Sequence, residues 1–197
     1  MERGYVLITG ASSGIGKEIA YSFAKRGYNL VLVARREDRL KNDAERISEE
    51  YGLDVQYFSC DLAKQSSIKD IFNFCRNHSL PIEILVNNAG YGIATAFHET
   101  PLEEEENFLR VLGVSVTSLT KIFLSQMLER KHGRVMIVSS VASYAPPSSI
   151  QSLYGPIKGF VNGFSDSLNA NYSHVGITST TVLPGYTVTE FHSVSGT

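Results

Sequence analysis

Cysteine is scarce in this chain of 197 residues, in which only Cys60 and Cys75 occur. Two cysteines are too few for a disulfide framework, and their separation matches no metal-binding spacing. The five histidines are scattered along the chain and form no ligand pair, so we expect no metal site. These absences favour a reducing compartment, and we expect a cytoplasmic protein.

Charge of one sign and long apolar runs are also lacking. The net charge is only −2, which gives no indication of a nucleic-acid partner or of binding to an anionic membrane. Lys121 interrupts the best apolar stretch, residues 111–128, so no run approaches the ~20 residues that a membrane span needs. The first residues lead into an apolar strand without the pattern of a signal peptide. We therefore expect neither nucleic acid nor a membrane as a partner.

What the chain does have is a regular alternation of short β-branched runs and longer segments of helical periodicity. The predicted strands are residues 5–9, 30–34, 54–60, 83–87, 134–139 and 177–183, and one of the helices between them is expected to start with a capping box at residues 100–103. Since the strands are almost continuously apolar, they predict a parallel sheet covered on both faces. The sequence thus predicts one α/β domain over residues 1–197, a Rossmann-type doubly wound parallel sheet flanked by helices on both faces. Its ligand site is expected at the carboxyl ends of the strands.

A glycine-rich loop, TGASSGIG at residues 9–16, separates the first predicted strand from the first helix. In this order the backbone N–H groups at the start of the helix can bind a pyrophosphate, and glycine lets the backbone approach the phosphates closely. The spacing is G-x-x-x-G-x-G, and we predict a dinucleotide site. Its predicted contacts are Gly10, Ser12, Ser13, Gly14, Ile15 and Gly16.

Two arginines follow the second predicted strand, where dinucleotide folds that prefer NAD usually carry a carboxylate. Arg35 and Arg36 come directly after Ala34, and no acid occurs before Glu37. A guanidinium can bind the 2′-phosphate of NADP in a bidentate manner, whereas a carboxylate would repel it. We therefore predict NADP(H), with Arg35 as the leading contact and Arg36 second, and NAD(H) as the less favoured cofactor. The alternative is that both arginines are solvated residues at the start of a helix.

Two segments have the spacing Y-x-x-x-K, which places a phenol and an ammonium on one helical face. A free tyrosine has a pKa near 10, and a neighbouring ammonium stabilises its phenolate, so such a pair can supply a proton to a developing alkoxide. Tyr154 and Lys158 follow the fifth predicted strand at the ligand edge of the sheet, whereas Tyr21 and Lys25 lie behind the glycine loop. We predict catalysis by the first pair and a structural role for the second.

These motifs, in their order and separations, resemble those of the short-chain dehydrogenase/reductase family in its compact single-domain form. The resemblance runs from Tyr5 to about Phe191. It is carried by the glycine loop, Cys60-Asp61-Leu62, Asn87-Asn88-Ala89-Gly90, Ser140 with Tyr154 and Lys158, and Pro184-Gly185 through Thr189. The resemblance implies that Lys158 also contacts the nicotinamide ribose. It adds as cofactor contacts Asp61 (at the adenine), Leu62, Asn88, Ala89, Gly90, Pro184, Gly185, Thr187 and Thr189.

The resemblance also bears on a serine that would orient the substrate carbonyl and stabilise its oxyanion. Adjacent strand residues face opposite sides, so only one of Ser139 and Ser140 can serve, and the family spacing to the tyrosine favours Ser140. Many family members carry an asparagine in the long fourth helix that holds a water of the proton relay. Ser115 stands at this position, and we expect it to take that role with a slower relay.

The C-terminal region is the second departure from the family. Family members continue through a substrate lid and a seventh strand, whereas this chain stops at Thr197. We expect either a domain that lacks both elements or a truncated chain. Residues that could line an apolar substrate pocket are Ile93, Tyr144, Ile150, Tyr186 and Phe191.

The leading functional hypothesis is an NADP(H)-dependent oxidoreductase that reversibly reduces a ketone or aldehyde to an alcohol, with a small-molecule carbonyl or alcohol as its partner. The alternative is a non-catalytic NADP(H)-binding module that senses redox state. An epimerase or dehydratase of the extended branch of the family is disfavoured, since that branch has a G-x-x-G-x-x-G loop. The resemblance further implies a homodimer or homotetramer, through the helix over residues 108–128 and the helix that carries Phe160.

Overall fold

The structure is a computed structural model, and it describes residues 4–146 and 152–187. The strands of its single sheet are β1 (Tyr5–Thr9), β2 (Asn29–Ala34), β3 (Val55–Ser59), β4 (Ile82–Asn87), β5 (Gly133–Val138) and β6 (Ile177–Val182). Their order in the sheet is β3-β2-β1-β4-β5-β6, and all five pairings are parallel. The predicted doubly wound parallel sheet is confirmed.

The helices connect these strands in the alternation that the sequence predicts. They are α1 (Gly14–Ala24), α2 (Glu37–Tyr51), α3 (Ser67–Asn77), α4 (Leu102–Leu109), α5 (Ser115–Arg130) and α6 (Tyr154–Tyr172). A π-helical segment, Arg110–Val114, joins α4 to α5, and short 3₁₀ turns occur at Val141–Ser143 and Ser173–Val175.

The core has one layer on each face of the sheet. In β1, Val6 and Ile8 pack with residues of α1 and α2, whereas Leu7 between them packs with residues of α3, α5 and α6. All three side chains are fully buried. Alternate strand residues therefore enter opposite apolar layers, which is why the central strands β1, β2 and β4 are apolar on both faces.

The order in which strands are added to the sheet reverses between β1 and β4, which are parallel neighbours although β2 and β3 lie between them in sequence. At such a switch point the loops after the two strands leave toward opposite faces and open a crevice at their carboxyl ends. Thr9 ties the two ends together, because its hydroxyl accepts hydrogen bonds from the backbone N–H groups of Asn88 (3.0 Å) and Ala89 (3.1 Å). The fold thus places the glycine loop beside the NNAG segment.

The long helical stretch after β4 differs from the sequence prediction in two ways. Thr100 does not cap α4, since its hydroxyl donates to the Ala96 carbonyl (3.1 Å) and the helix starts after Pro101, whose ψ of 139° is not helical. The stretch is also interrupted by the π-helical segment, which contains Gly113. A Cβ at Gly113 would lie 2.8 Å from Ile157 Cδ1, so the missing side chain lets α6 approach this segment.

The same stretch bears on the membrane prediction. By length and composition, the continuous helix Leu102–Arg130 is apolar enough to cross a membrane, although Lys121 lies within it. The expectation that no such run exists is therefore wrong. Half of its apolar window is buried, and the packing of α5 against β4 and β5 accounts for apolar residues in that half.

Candidate active site

A cleft of about 1380 Å³ opens at the carboxyl ends of the strands. It brings together nearly all the residues that the sequence predicts for the site. These are Gly10, Ser12, Ser13, Gly14, Ile15, Gly16, Arg35, Arg36, Asp61, Leu62, Asn88, Ala89, Gly90, Ser140, Tyr154, Lys158, Pro184, Gly185 and Thr187. Thr189 lies outside the described residues, and Ser115 does not line the cleft.

The glycine loop is packed too closely for side chains at two of its glycines. Gly10 has a φ of +68°, and a Cβ there would lie 2.7 Å from Asn88 Nδ2. A Cβ at Gly16 would collide with both Asn88 Nδ2 and the Gly10 carbonyl. Asn88 uses that amide to hold the loop, donating hydrogen bonds to the carbonyls of Thr9 (2.9 Å) and Gly10 (3.3 Å). Asn88 is thus a support of the loop as well as part of the cleft wall.

Helix α1 begins at Gly14, directly at the cleft. The first N–H groups of a helix have no partner within it, and the helix dipole adds positive potential at this end. The first turn of α1 carries no acidic residue that would offset this potential. Gly14, Ile15 and Gly16 therefore form a cradle that fits the pyrophosphate of a dinucleotide.

Arg36 rather than Arg35 contacts the glycine loop. Its guanidinium donates hydrogen bonds to Ser12 Oγ at 3.2 Å and to Ser13 Oγ at 2.6 Å, and it is half-buried. The Arg35 side chain is exposed and also lines the cleft. The sequence prediction ranks Arg35 first because it is the first residue after the strand. This criterion cannot reveal the contacts of Arg36 with the glycine loop.

Asp61 and Leu62 follow β3, which is an edge strand of the sheet, and both line the cleft. One carboxylate oxygen of Asp61 accepts a hydrogen bond from the backbone N–H of Ala63 at 3.0 Å, which fixes the turn, and Leu62 is buried. Two cleft residues that the sequence analysis missed, Tyr91 and Glu104, lie near this end. The signal for Tyr91 was its position directly after NNAG.

Tyr154 and Lys158 lie one turn apart at the start of α6. Lys158 is only 6% exposed, and its Nζ donates a hydrogen bond to the Val138 carbonyl at 2.8 Å. Its Nζ lies 5.7 Å from the centre of the Tyr154 ring. Burial lowers the pKa of Lys158 to about 8. For Tyr154, burial raises the pKa more than the hydrogen bond with the Ser140 side chain lowers it.

The two adjacent serines after β5 have different surroundings. The Ser139 hydroxyl is buried and donates to the Lys158 carbonyl at 3.1 Å, so it fastens β5 to α6. The Ser140 hydroxyl contacts the Tyr154 phenol and accepts a hydrogen bond from the backbone N–H of Ala142 at 3.1 Å. Only Ser140 has its hydroxyl beside the predicted proton donor.

Ser115 is the predicted catalytic residue that the structure places elsewhere. It is 3% exposed, and its hydroxyl donates to the Val111 carbonyl at 2.7 Å. The physical reason is local, because serine in a helix readily bonds the carbonyl four residues before it. The role of this hydroxyl in a water relay stays a prediction: in the structure the hydroxyl satisfies a carbonyl of the π-helical segment, and Ser115 does not line the cleft.

The predicted apolar substrate pocket is only partly assembled. Ile93 and Tyr186 line the cleft, but Tyr144 is 78% exposed and is not part of its wall. Ile150 and Phe191 lie outside the described residues. Within residues 4–146 and 152–187, no group of three or more histidine, cysteine or acidic side chains is arranged to hold a metal ion.

Comparison with known protein families gives one match over almost the whole chain. The model of the family described as short chain dehydrogenase matches residues 4–196. Very-long-chain 3-oxoacyl-CoA reductase of Anas platyrhynchos is 32% identical over 195 residues, which are 97% of this chain and 62% of that protein. Dehydrogenase/reductase SDR family member 7 of Mus musculus is 35% identical over 184 residues, 91% of this chain and 54% of its own length. The chain thus spans less than two thirds of these relatives.

Solved structures with the same fold include proteins bound to NADPH. The short-chain dehydrogenase from Sphingobium yanoikuyae in complex with NADPH has a TM-score of 0.92 and 35% identity, over 98% of this chain and 75% of that one. The L-sorbose reductase from Gluconobacter frateurii, complexed with NADPH and L-sorbose, has a TM-score of 0.88 and 30% identity, over 96% and 73%. The bulky-bulky ketone specific alcohol dehydrogenase from Comamonas testosteroni has a TM-score of 0.88 and 32% identity, over 94% and 74%.

Proposed function

Because the chain belongs to the short-chain dehydrogenase family, we propose that it is an NADP(H)-dependent oxidoreductase that reversibly reduces a ketone or aldehyde to an alcohol. One observation carries the proposal. Ser140, Tyr154 and Lys158 share a single cleft with the glycine loop and Arg36. A proton donor, an anion-stabilising hydroxyl and a dinucleotide cradle are the parts that carbonyl reduction needs.

The cofactor proposal rests on the charges at the phosphate end of the cleft. Bound NADPH would supply the hydride for the carbonyl carbon. The cradle at the start of α1 would hold its pyrophosphate, and the Arg36 guanidinium, already on the hydroxyls of Ser12 and Ser13, would bind the 2′-phosphate together with Arg35. The NADPH complexes of the Sphingobium and Gluconobacter proteins support this choice.

Tyr154 is the proton donor in this proposal. As the carbonyl oxygen gains negative charge, the phenol gives it a proton and becomes a phenolate, which then recovers a proton from water. Because burial raises the pKa of Tyr154, the phenol carries its proton at neutral pH, and release of that proton requires stabilisation of the phenolate. Ser140 donates a hydrogen bond to the same oxygen, and the Lys158 ammonium stabilises the phenolate.

For the substrate, we propose a carbonyl compound with an apolar part, since buried Ile93 lines the cleft. The relatives named for very-long-chain 3-oxoacyl-CoA and for bulky ketones are in keeping with this class. The second candidate function is a non-catalytic NADP(H)-binding redox sensor. It is favoured by Ser115, whose hydroxyl bonds Val111 and not a group in the cleft.

Calorimetric titration with NADPH and NADH, followed by turnover on a carbonyl panel, tests the proposal. We expect NADPH to bind at least about tenfold more tightly than NADH, since a bidentate charged contact is worth roughly 1.5–3 kcal/mol. Arg35→Ala and Arg36→Ala should each weaken NADPH binding only, and Arg26→Ala, just beyond the C-terminal end of α1, is the matched control. Equal affinity for NADH would overturn the cofactor assignment. Tight NADPH binding without turnover would favour the sensor.

We also propose a cytoplasmic homodimer or homotetramer. Apolar side chains remain exposed on the helices expected to pair, namely Val114 (49%), Leu128 (37%) and Phe160 (51%). Removing such side chains from water is a driving force for association. Sedimentation showing only monomer at micromolar concentration would overturn the assembly proposal.

A further inference from the structure

We propose that Asn162, on α6, is a positioning residue that fixes the Ser140 hydroxyl through a hydrogen-bonded chain with Ser143. The inference rests on the proposed function, in which Ser140 stabilises the substrate oxygen. Asn162 lies two turns beyond Tyr154 and one beyond Lys158, so it continues the face of α6 that meets the end of β5. The family motifs in the sequence do not include it.

The chain of contacts is short and part-buried. Asn162 is 7% exposed, and its Nδ2 donates a hydrogen bond to Ser143 Oγ at 2.9 Å. Ser143 Oγ in turn donates to the Ser140 carbonyl at 2.6 Å. The backbone N–H of Ala142, in the same turn, donates to Ser140 Oγ at 3.1 Å. The turn that presents the Ser140 hydroxyl thus receives a side-chain hydrogen bond from the Asn162 amide on α6.

The chain has a fixed direction. Since the single hydroxyl hydrogen of Ser143 is used on the Ser140 carbonyl, Ser143 Oγ has only lone pairs to offer to Asn162. The contact therefore needs a donor at position 162, which assigns Nδ2 to it and turns Oδ1 away. Asn162 Oδ1 is buried and has no hydrogen-bond partner in the described part of the chain. An unsatisfied buried oxygen such as Asn162 Oδ1 is destabilising, and it occurs here together with the hydrogen bond that Nδ2 donates.

Backbone packing at the start of α6 makes the position of this turn sensitive. A Cβ at Gly155 would lie 3.0 Å from the Ala142 carbonyl, so the helix and the turn are in close contact beside Tyr154. A loosened turn would move Ser140 relative to the phenol that it contacts. Displacements of about 1 Å in a catalytic group can cost up to about 10²-fold in rate.

Asn169 provides a matched control on the same helix. Its Nδ2 donates to the Ser179 carbonyl at 2.8 Å, and its Oδ1 accepts from the Ser179 backbone N–H at 2.7 Å. It fastens α6 to β6, away from the Ser140 turn, with one more hydrogen bond than Asn162 makes. A purely structural role for Asn162 would make the two asparagines equivalent in their effect on rate.

The activity test measures kcat, KM and NADPH affinity for Asn162→Ala, Asn162→Leu and Asn169→Ala. Loss of one positioning hydrogen bond is expected to lower kcat by about tenfold in both Asn162 variants, with NADPH affinity within about twofold. Asn169→Ala should leave kcat unchanged. In a Ser140→Ala background, Asn162→Ala should cause no further loss of kcat. An equal loss with and without Ser140 would overturn the proposal.

A second readout does not depend on turnover. Amide hydrogen exchange of residues 139–145 should quicken in Asn162→Ala, and in Ser143→Ala if Asn162→Ala does not fold, but not in Asn169→Ala. If exchange of residues 139–145 is unchanged in Asn162→Ala, the proposal is overturned, even if the wild type reduces no carbonyl. Faster exchange in Asn162→Ala with an unchanged kcat would also overturn it. If the wild type binds NADPH but shows no turnover, the proposed function is refuted. The exchange result then still decides whether Asn162 holds the Ser140 turn.

Discussion

Two parts of this chain carry the same spacing of tyrosine and lysine, and the structure gives them different surroundings. Tyr21 lies in the middle of α1, where its hydroxyl is 3.5 Å from Asp43 Oδ1, and Lys25 is exposed. Tyr154 and Lys158 both line the cleft, and Lys158 is 6% exposed. The spacing alone provides only a shared helical face.

The difference arises from where each helix meets the sheet. Helix α1 turns its first residues toward the cleft, so Tyr21 is already two turns away from it. Helix α6 begins at Tyr154, and its first turns pack against the end of β5 through Lys158. A Y-x-x-x-K segment therefore becomes a candidate catalytic pair only when its first turn lies at the carboxyl edge of the sheet.

The largest effect is expected for the tyrosines. Tyr154→Phe removes the proton donor and should lower kcat by about 10²–10⁴-fold, whereas Tyr21→Phe should leave it within about twofold. NADPH-dependent turnover on a ketone panel measures both. Comparable rates for the wild type and Tyr154→Phe would contradict the assignment of the two segments.

The lysines should differ next in size. Lys158→Met removes the charge that stabilises the phenolate, and a loss of kcat on the order of 10²-fold is expected. Lys25→Met is the matched control, because Lys25, directly after α1, is solvent-exposed. If both substitutions had the same small effect, the buried ammonium would have no part in the reaction.

The pH dependence of reduction sharpens the comparison further. Burial lowers the pKa of Lys158 to about 8, so its ammonium is complete below this pH and is lost above it. We expect kcat/KM for carbonyl reduction to fall as the pH rises through about 8, by up to about tenfold per unit. Lys158→Arg, which keeps its charge, should move the fall to higher pH if it retains activity. A flat profile up to pH 10 in the wild type would contradict the role of the ammonium.

The smallest effect concerns the structural pair. Lys17 Nζ lies 2.7 Å from Asp43 Oδ1, and this ion pair joins α1 to α2 beneath Tyr21. Asp43→Asn should lower the free energy of unfolding by about 1 kcal/mol, or roughly 2–4 °C in melting temperature, without changing kcat. Thermal unfolding and turnover of the same sample check this, and a large loss of activity at unchanged stability would link this cluster to the site.

The sheet could be predicted because its central strands are apolar on both faces, as at Val6, Leu7 and Ile8. The segments between the strands also show the helical period. The Tyr154 segment could be told from the Tyr21 segment because the order of strands along the chain shows which segment begins at the carboxyl edge of the sheet. The sequence analysis missed the partner of the Ser115 hydroxyl and the loop contacts of Arg36, since both depend on side-chain conformation. Asn162 carries no sequence signal, because its partner lies 19 residues away in a turn without a motif.

The most direct measurement follows the hydrogen itself. NADPH that carries deuterium in both hydrogen positions of the hydride-donating carbon of the nicotinamide is mixed with the carbonyl panel, and the alcohol product is analysed by mass spectrometry. We predict deuterium on the former carbonyl carbon with the wild type and with Tyr21→Phe, and almost none with Tyr154→Phe. Tight NADPH binding with no deuterated alcohol from the wild type, or undiminished transfer by Tyr154→Phe, would contradict a reductase that works through Tyr154.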